Sequence, residues 1–75
     1  MSNPTSSIWT AEILPDENPA SQPLWENSGY PSEAAARSAA AAVIGRAGDV
    51  LGSDDLARDH DGNVVAVVRT AEAAA

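Results

Sequence analysis

His60 stands between Asp59 and Asp61, and an imidazole beside a carboxylate is the usual pairing of an oriented general base. A catalytic triad also needs a nucleophile and an oxyanion site, and no segment of the chain supplies either. Sequence neighbours on an extended segment point to opposite faces, so the flanking aspartates are poorly placed to orient the ring. His60 is therefore read as a solvated turn histidine. The same stretch invites comparison with a calcium loop, in which acids at positions 1, 3 and 5 precede a glycine at 6 and a bidentate glutamate closes at 12. Aligned on Gly62, position 1 is Ala57 and position 12 is Val68, so two essential ligands are missing. The five glycines are scattered, and none falls in the frame of a phosphate-binding loop. With no cysteine there is no thiolate nucleophile, no Cys-ligated zinc and no disulfide framework. The expectation is a protein that is not an enzyme and uses neither metal nor cofactor.

The carboxylates remain. Eleven Asp and Glu face four basic residues, all arginine, for a net charge of −7 and a sequence pI near 4.2. That balance opposes direct binding to nucleic acid phosphates or to an anionic membrane. The acids form two groups in sequence. Asp16, Glu17, Glu26 and Glu33 come from the first half, while Asp49, Asp54, Asp55, Asp59 and Asp61 fall within thirteen residues of the second. Acidity of this kind serves solubility in many proteins. It can also imitate DNA: a chain of this length is roughly 30 Å across, and duplex of that length carries about eighteen phosphate charges. These nine carboxylates are the candidate partner-binding surface.

The elements that must position them follow from local signals. Residues 1–7 are polar and read as a loose N-terminal arm. Ile8–Leu14 alternates so that Trp9, Ala11 and Ile13 share one face, the period of a half-buried strand, and Pro15 ends it. Residues 15–23 hold three prolines and read as a stiff surface loop. Leu24–Ser28 forms a second strand antiparallel to the first, with Gly29-Tyr30-Pro31 turning the chain out of the sheet. Ser32 is a natural N-cap with Glu33 in the first turn, and an alanine-rich helix runs from Glu33 to about Ala47, stopped by Gly48. Its small face of Ala36, Ala40, Val43 and Ala47 suits close packing on a sheet presenting Trp9 and Trp25. In a chain without Phe these indoles are read as core, the alternative being an exposed interface anchor. Residues 49–52 lead into Ser53–Asp59, which is ambiguous between a short strand and one helical turn capped by Ser53, with the extended reading preferred. Asp61-Gly62 marks a turn, and residues 63–70, nearly all β-branched, form a central strand. Residues 71–75 read as a frayed tail. The expected fold class is α+β: one domain over residues 8–70, with a single helix packed on a small, mostly antiparallel sheet in the order ββαβ, or ββαββ with one further short strand.

At 75 residues the chain holds one small core, because a domain of this size buries only about 60% of the surface its unfolded form exposes. No stretch approaches the length of a membrane span, and the first residues carry no basic, apolar pattern of a secretory signal.

A small, acidic, Met-initiated chain with a strand-strand-helix-strand layout and the alanine-rich helix of residues 32–44 resembles the anti-CRISPR proteins of phages and mobile elements. It looks most like those directed at type I systems, type I-C among them. The resemblance implies stoichiometric inhibition in the cytoplasm of a bacterial host. A monomer would bind the Cascade surveillance complex, at the large subunit that recognises the PAM-bearing duplex, and block target DNA as a DNA mimic. These proteins share no common motif, so the resemblance assigns no residue. The contrasting expectation is a small interaction module, homodimeric through a strand edge, whose acidity serves only solubility.

Overall fold

The computed structural model describes residues 8–18 and 20–73. The proposed N-terminal arm and the last two residues of the proposed tail lie outside them. Five strands and one helix follow in the order β1 (Ile8–Leu14), β2 (Trp25–Tyr30), α1 (Glu33–Arg46), β3 (Val50–Leu51), β4 (Leu56–Arg58) and β5 (Val64–Ala73). The strands form one antiparallel sheet ordered β2-β1-β5-β4-β3. The α+β class and the single helix on an antiparallel sheet are as expected. The strand count is not: the order is ββαβββ, because the segment after the helix makes two short strands before β5.

β1 has the bounds its alternation predicts, and β5 is central, between β1 and β4. Two expectations at strand ends are corrected. Gly29 and Tyr30 continue β2 instead of leaving the sheet: Tyr30 pairs with Trp9 and Ser28 with Thr10, so Gly29 is the extra residue of a bulge. Its φ of +94° is the left-handed geometry that glycine adopts without steric penalty. Ala71 to Ala73, assigned to a frayed tail, are instead strand, because Ile8, Trp9 and Thr10 give them a ladder to pair with.

Ser32 caps the helix as predicted, with extended backbone and its Oγ accepting from the Ala35 N–H at 3.1 Å. Gly48, at φ +91°, ends the last turn just past Ala47. The helix buries Ala36, Ala40 and Ile44, one residue per turn along a single stripe. Its seat on the sheet is Ala11, Ile13, Ala57, Ala66 and Val68. Ala11, Ala36, Ala40 and Ala57 are fully buried, so backbone approaches backbone where methyl groups meet. Val43 is half-buried and Ala47 exposed, so the buried stripe is turned toward Ile44 from the one expected. Trp9, Trp25 and Tyr30 are partly buried against the edge of this cluster; they wall the core in from β1 and β2. On the other sheet face, Leu14 is buried in register with Val67, which pairs in turn with Leu56.

Candidate functional site

The registers decide where the acids stand. β1 ends at Leu14 opposite Val67, and Val64, the first residue of β5, reaches beyond it. The β1–β2 loop and the β4–β5 hairpin therefore leave the sheet at the same end, on neighbouring strand pairs. Helix α1 delivers its C-terminus there too, since Val50 pairs with Arg58, and Arg58 with Val64. Asp16, Glu17, Asp49, Asp59 and Asp61 are thus gathered at one end of the sheet, from three separate connections.

Within each loop one aspartate builds the turn and its neighbour does not. Asp16 Oδ1 accepts from the Asn18 N–H at 3.0 Å and from Ser21 Oγ at 2.6 Å. These bonds, the Ser21 one foremost, hold its carboxyl below the ordinary 3.8. Asp59 Oδ1 accepts from the N–H groups of Asp61 and Asn63 at 2.9 and 3.0 Å, closing the hairpin that Asp61-Gly62 announces. Glu17 and Asp61 are exposed and accept no hydrogen bond from another described residue. His60 lies in the same hairpin with its side chain 87% exposed and Nε2 3.5 Å from Asp61 Oδ1.

The other predicted acids are placed elsewhere. β3 and β4 are only two and three residues long, so their turn stops partway along the sheet, where the Asp55 carbonyl accepts from the Val68 N–H. Asp54 and Asp55 belong to that turn, and both are neutralised. Asp54 Oδ2 lies 2.9 Å from Arg58 Nη2. Arg58, then the Leu56 N–H, depress the Asp54 pKa, and the Arg58 pKa is raised in return. Arg37 reaches from the helix to donate to Asp55 Oδ1 and to the Gly52 carbonyl, both at 2.6 Å. Glu26 lies on the sheet face away from the helix, in register with Glu12. Glu33 sits at the opposite end, accepting from Thr70 Oγ1 at 3.2 Å.

Arginine pairing sharpens the pattern. Arg37, Arg58 and Arg69 pair with Asp55, Asp54 and Glu12, leaving eight carboxylates and Arg46 outside arginine–carboxylate pairs among the described residues. Five of those eight are the acids gathered at the Leu14 end.

A pocket of about 240 Å³ opens at this same end, between the last turns of the helix and the sheet. Ile13, Leu24, Trp25, Val43 and Val65 supply its apolar walls, and Asp49 is its one acidic lining residue. Leu24 is 66% exposed. Val65 is the extra residue of a bulge opposite β4, a device that re-aims a side chain. Sequence reasoning had Asp49 in the acidic group but gave no sign of the pocket, because the helix C-terminus and β2 meet only after the chain has crossed the sheet. Among the described residues no three His, Cys, Asp or Glu side chains are grouped to hold a metal ion, and no helix is long and apolar enough to cross a membrane. No protein-family model, curated protein or solved structure matches the chain.

Proposed function

We propose that the chain is a stoichiometric protein inhibitor of the anti-CRISPR kind. Its acidic end docks, as a DNA mimic, on the basic DNA-binding surface of a type I Cascade complex in the cytoplasm of a bacterial host, at the PAM-recognising large subunit. The observation that supports this reading is the convergence of Asp16, Glu17, Asp49, Asp59 and Asp61 from three connections onto one end of the sheet. Asp16 and Asp59 tie down the two loops that carry Glu17 and Asp61, which lowers the ordering cost of docking, and a basic groove rewards the gathered charge with fast, steered association. The reading involves no chemistry on a substrate and no cofactor, and the active species is a monomer.

The test is competition. Purified protein is titrated into a type I Cascade complex while target-duplex binding is followed at low and at physiological salt. Loss of DNA binding at near-stoichiometric protein, weaker at higher salt, is the expected result. The double charge reversal Glu17→Lys, Asp61→Lys removes charge from the docking end without touching a turn-building hydrogen bond, and should abolish the competition. Undiminished duplex binding by the wild-type chain would overturn the proposal.

A further inference from the structure

The pocket at the acidic end deepens the docking reading, on which the choice of a basic partner rests. We propose that it receives a single arginine side chain projecting from that partner. The size argues first: about 240 Å³ is below the roughly 300–1,000 Å³ of sites for drug-sized ligands, so the occupant is one side chain and not a cofactor. The walls argue next. Ile13, Val43, Leu24 and Val65 offer apolar surface, which suits a hydrocarbon stem. Asp49 then narrows the choice, because it is the one acidic residue lining this space, and its carboxylate accepts no side-chain hydrogen bond or ion pair among the described residues. A purely apolar occupant would strip water from that carboxylate and return nothing, while an anion would be repelled by it and by the C-terminal end of the helix dipole. A cation on an apolar stem satisfies both surfaces. Arginine fits better than lysine: its guanidinium is flat, weakly hydrated and able to engage a carboxylate with two donors. Trp25 in the wall adds an aromatic group of the type that attracts guanidinium.

The probe is the blocked tripeptide acetyl-Gly-Arg-Gly-amide, titrated into the ¹⁵N-labelled full chain and followed by amide and indole chemical shifts. Two analogues carry citrulline, the same shape without charge, or norleucine, the stem alone. The expected result is saturable shifts confined to the Trp25 indole and the amides of Ile13, Val43, Asp49 and Val65, with neither analogue saturating. Asp49→Asn should weaken the peptide at least tenfold, and Leu24→Ala, at a wall position 66% exposed, several-fold. Glu33→Gln, at the far end, should leave it unchanged. Shifts scattered over every acidic loop, or a norleucine peptide binding as tightly as arginine, would overturn the pocket assignment. Cascade competition by the wild-type chain that is untouched by Asp49→Asn would also remove the pocket while leaving the docking reading. Specific peptide binding with no effect on Cascade would do the reverse.

Discussion

Arg37 is the side chain on which the β3–β4 turn depends. It leaves the helix one turn after the N-terminus and bonds both Gly52 O and Asp55 Oδ1, and Asp55 is the one non-glycine described residue with positive φ, at 65°. Left-handed backbone at a residue with a Cβ is unfavourable by itself, so the ion pair and the bond from Val68 N–H to the Asp55 carbonyl hold it there. Arg37→Ala should destabilise the chain by about 1 kcal/mol, a value reduced for the half-exposed setting, as urea denaturation would show. Asp54 and Asp16 make a pH prediction. Both carboxyls are depressed below the ordinary 3.8 in the folded chain, so the folded state binds fewer protons than the unfolded one in that range. Their contribution is complete above 3.8 and is lost as pH falls through the lowered values. Thermal midpoints should therefore drop below about pH 4, and the Asp16→Asn, Asp54→Asn double variant should show a shallower fall over the same window. Asp54 and Arg58 stand four residues apart, a local contact, but Arg37 and Asp55 are eighteen residues apart, and nothing local connects them.

At the scale of elements, the helix is made by propensity and seated by size. Alanine favours the helix wherever it packs, so the alanine-rich run from Ala34 to Ala42 announced α1, and small residues pointed to Ala36 and Ala40 as its packing side but to Val43 and Ala47 in place of Ile44. The buried stripe is Ala36, Ala40 and Ile44, set on Ala11, Ile13, Ala57, Ala66 and Val68, and Ala36 and Ala40, both fully buried, sit where close packing admits only methyl groups. Ala40→Leu should cost about 1–3 kcal/mol through overpacking, whereas Ala42→Leu, at an exposed position, should be nearly neutral; thermal melts of the two variants separate these outcomes. Strand prediction succeeded where alternation or β-branching ran for seven residues, as in β1 and β5. It failed for β3, whose two residues exist as strand only because β4 lies beside them. It failed also at Gly29-Tyr30, where a turn-forming dipeptide is kept in the sheet by pairing with Trp9.

Over the whole molecule, charge is the property that reaches furthest. Five carboxylates at one end make a field that extends about a Debye length, near 8 Å at physiological salt, so association with a basic surface should speed up by about tenfold or more as ionic strength is lowered. Stopped-flow association rates at two salt concentrations test this; a rate indifferent to salt would mean that the acids are a solvated surface only. The net charge of −7, the absence of cysteine, the capped alanine helix, β1, and β5 as far as Thr70 were all determined by the sequence alone. They are properties of composition or of contacts within a few residues, and physics at that range is local. Which acids would be neutralised and which gathered was decided by tertiary structure. Two groups read along the chain became one end of five, a paired turn of two, and Glu26 and Glu33 each in a separate position, because antiparallel pairing of β1 with β5 folds residues 16 and 61 back to the same end of the sheet. The pocket beside them has the same origin: Ile13, Val43 and Val65 are far apart in sequence, and only helix packing on a sheet brings their side chains around Asp49.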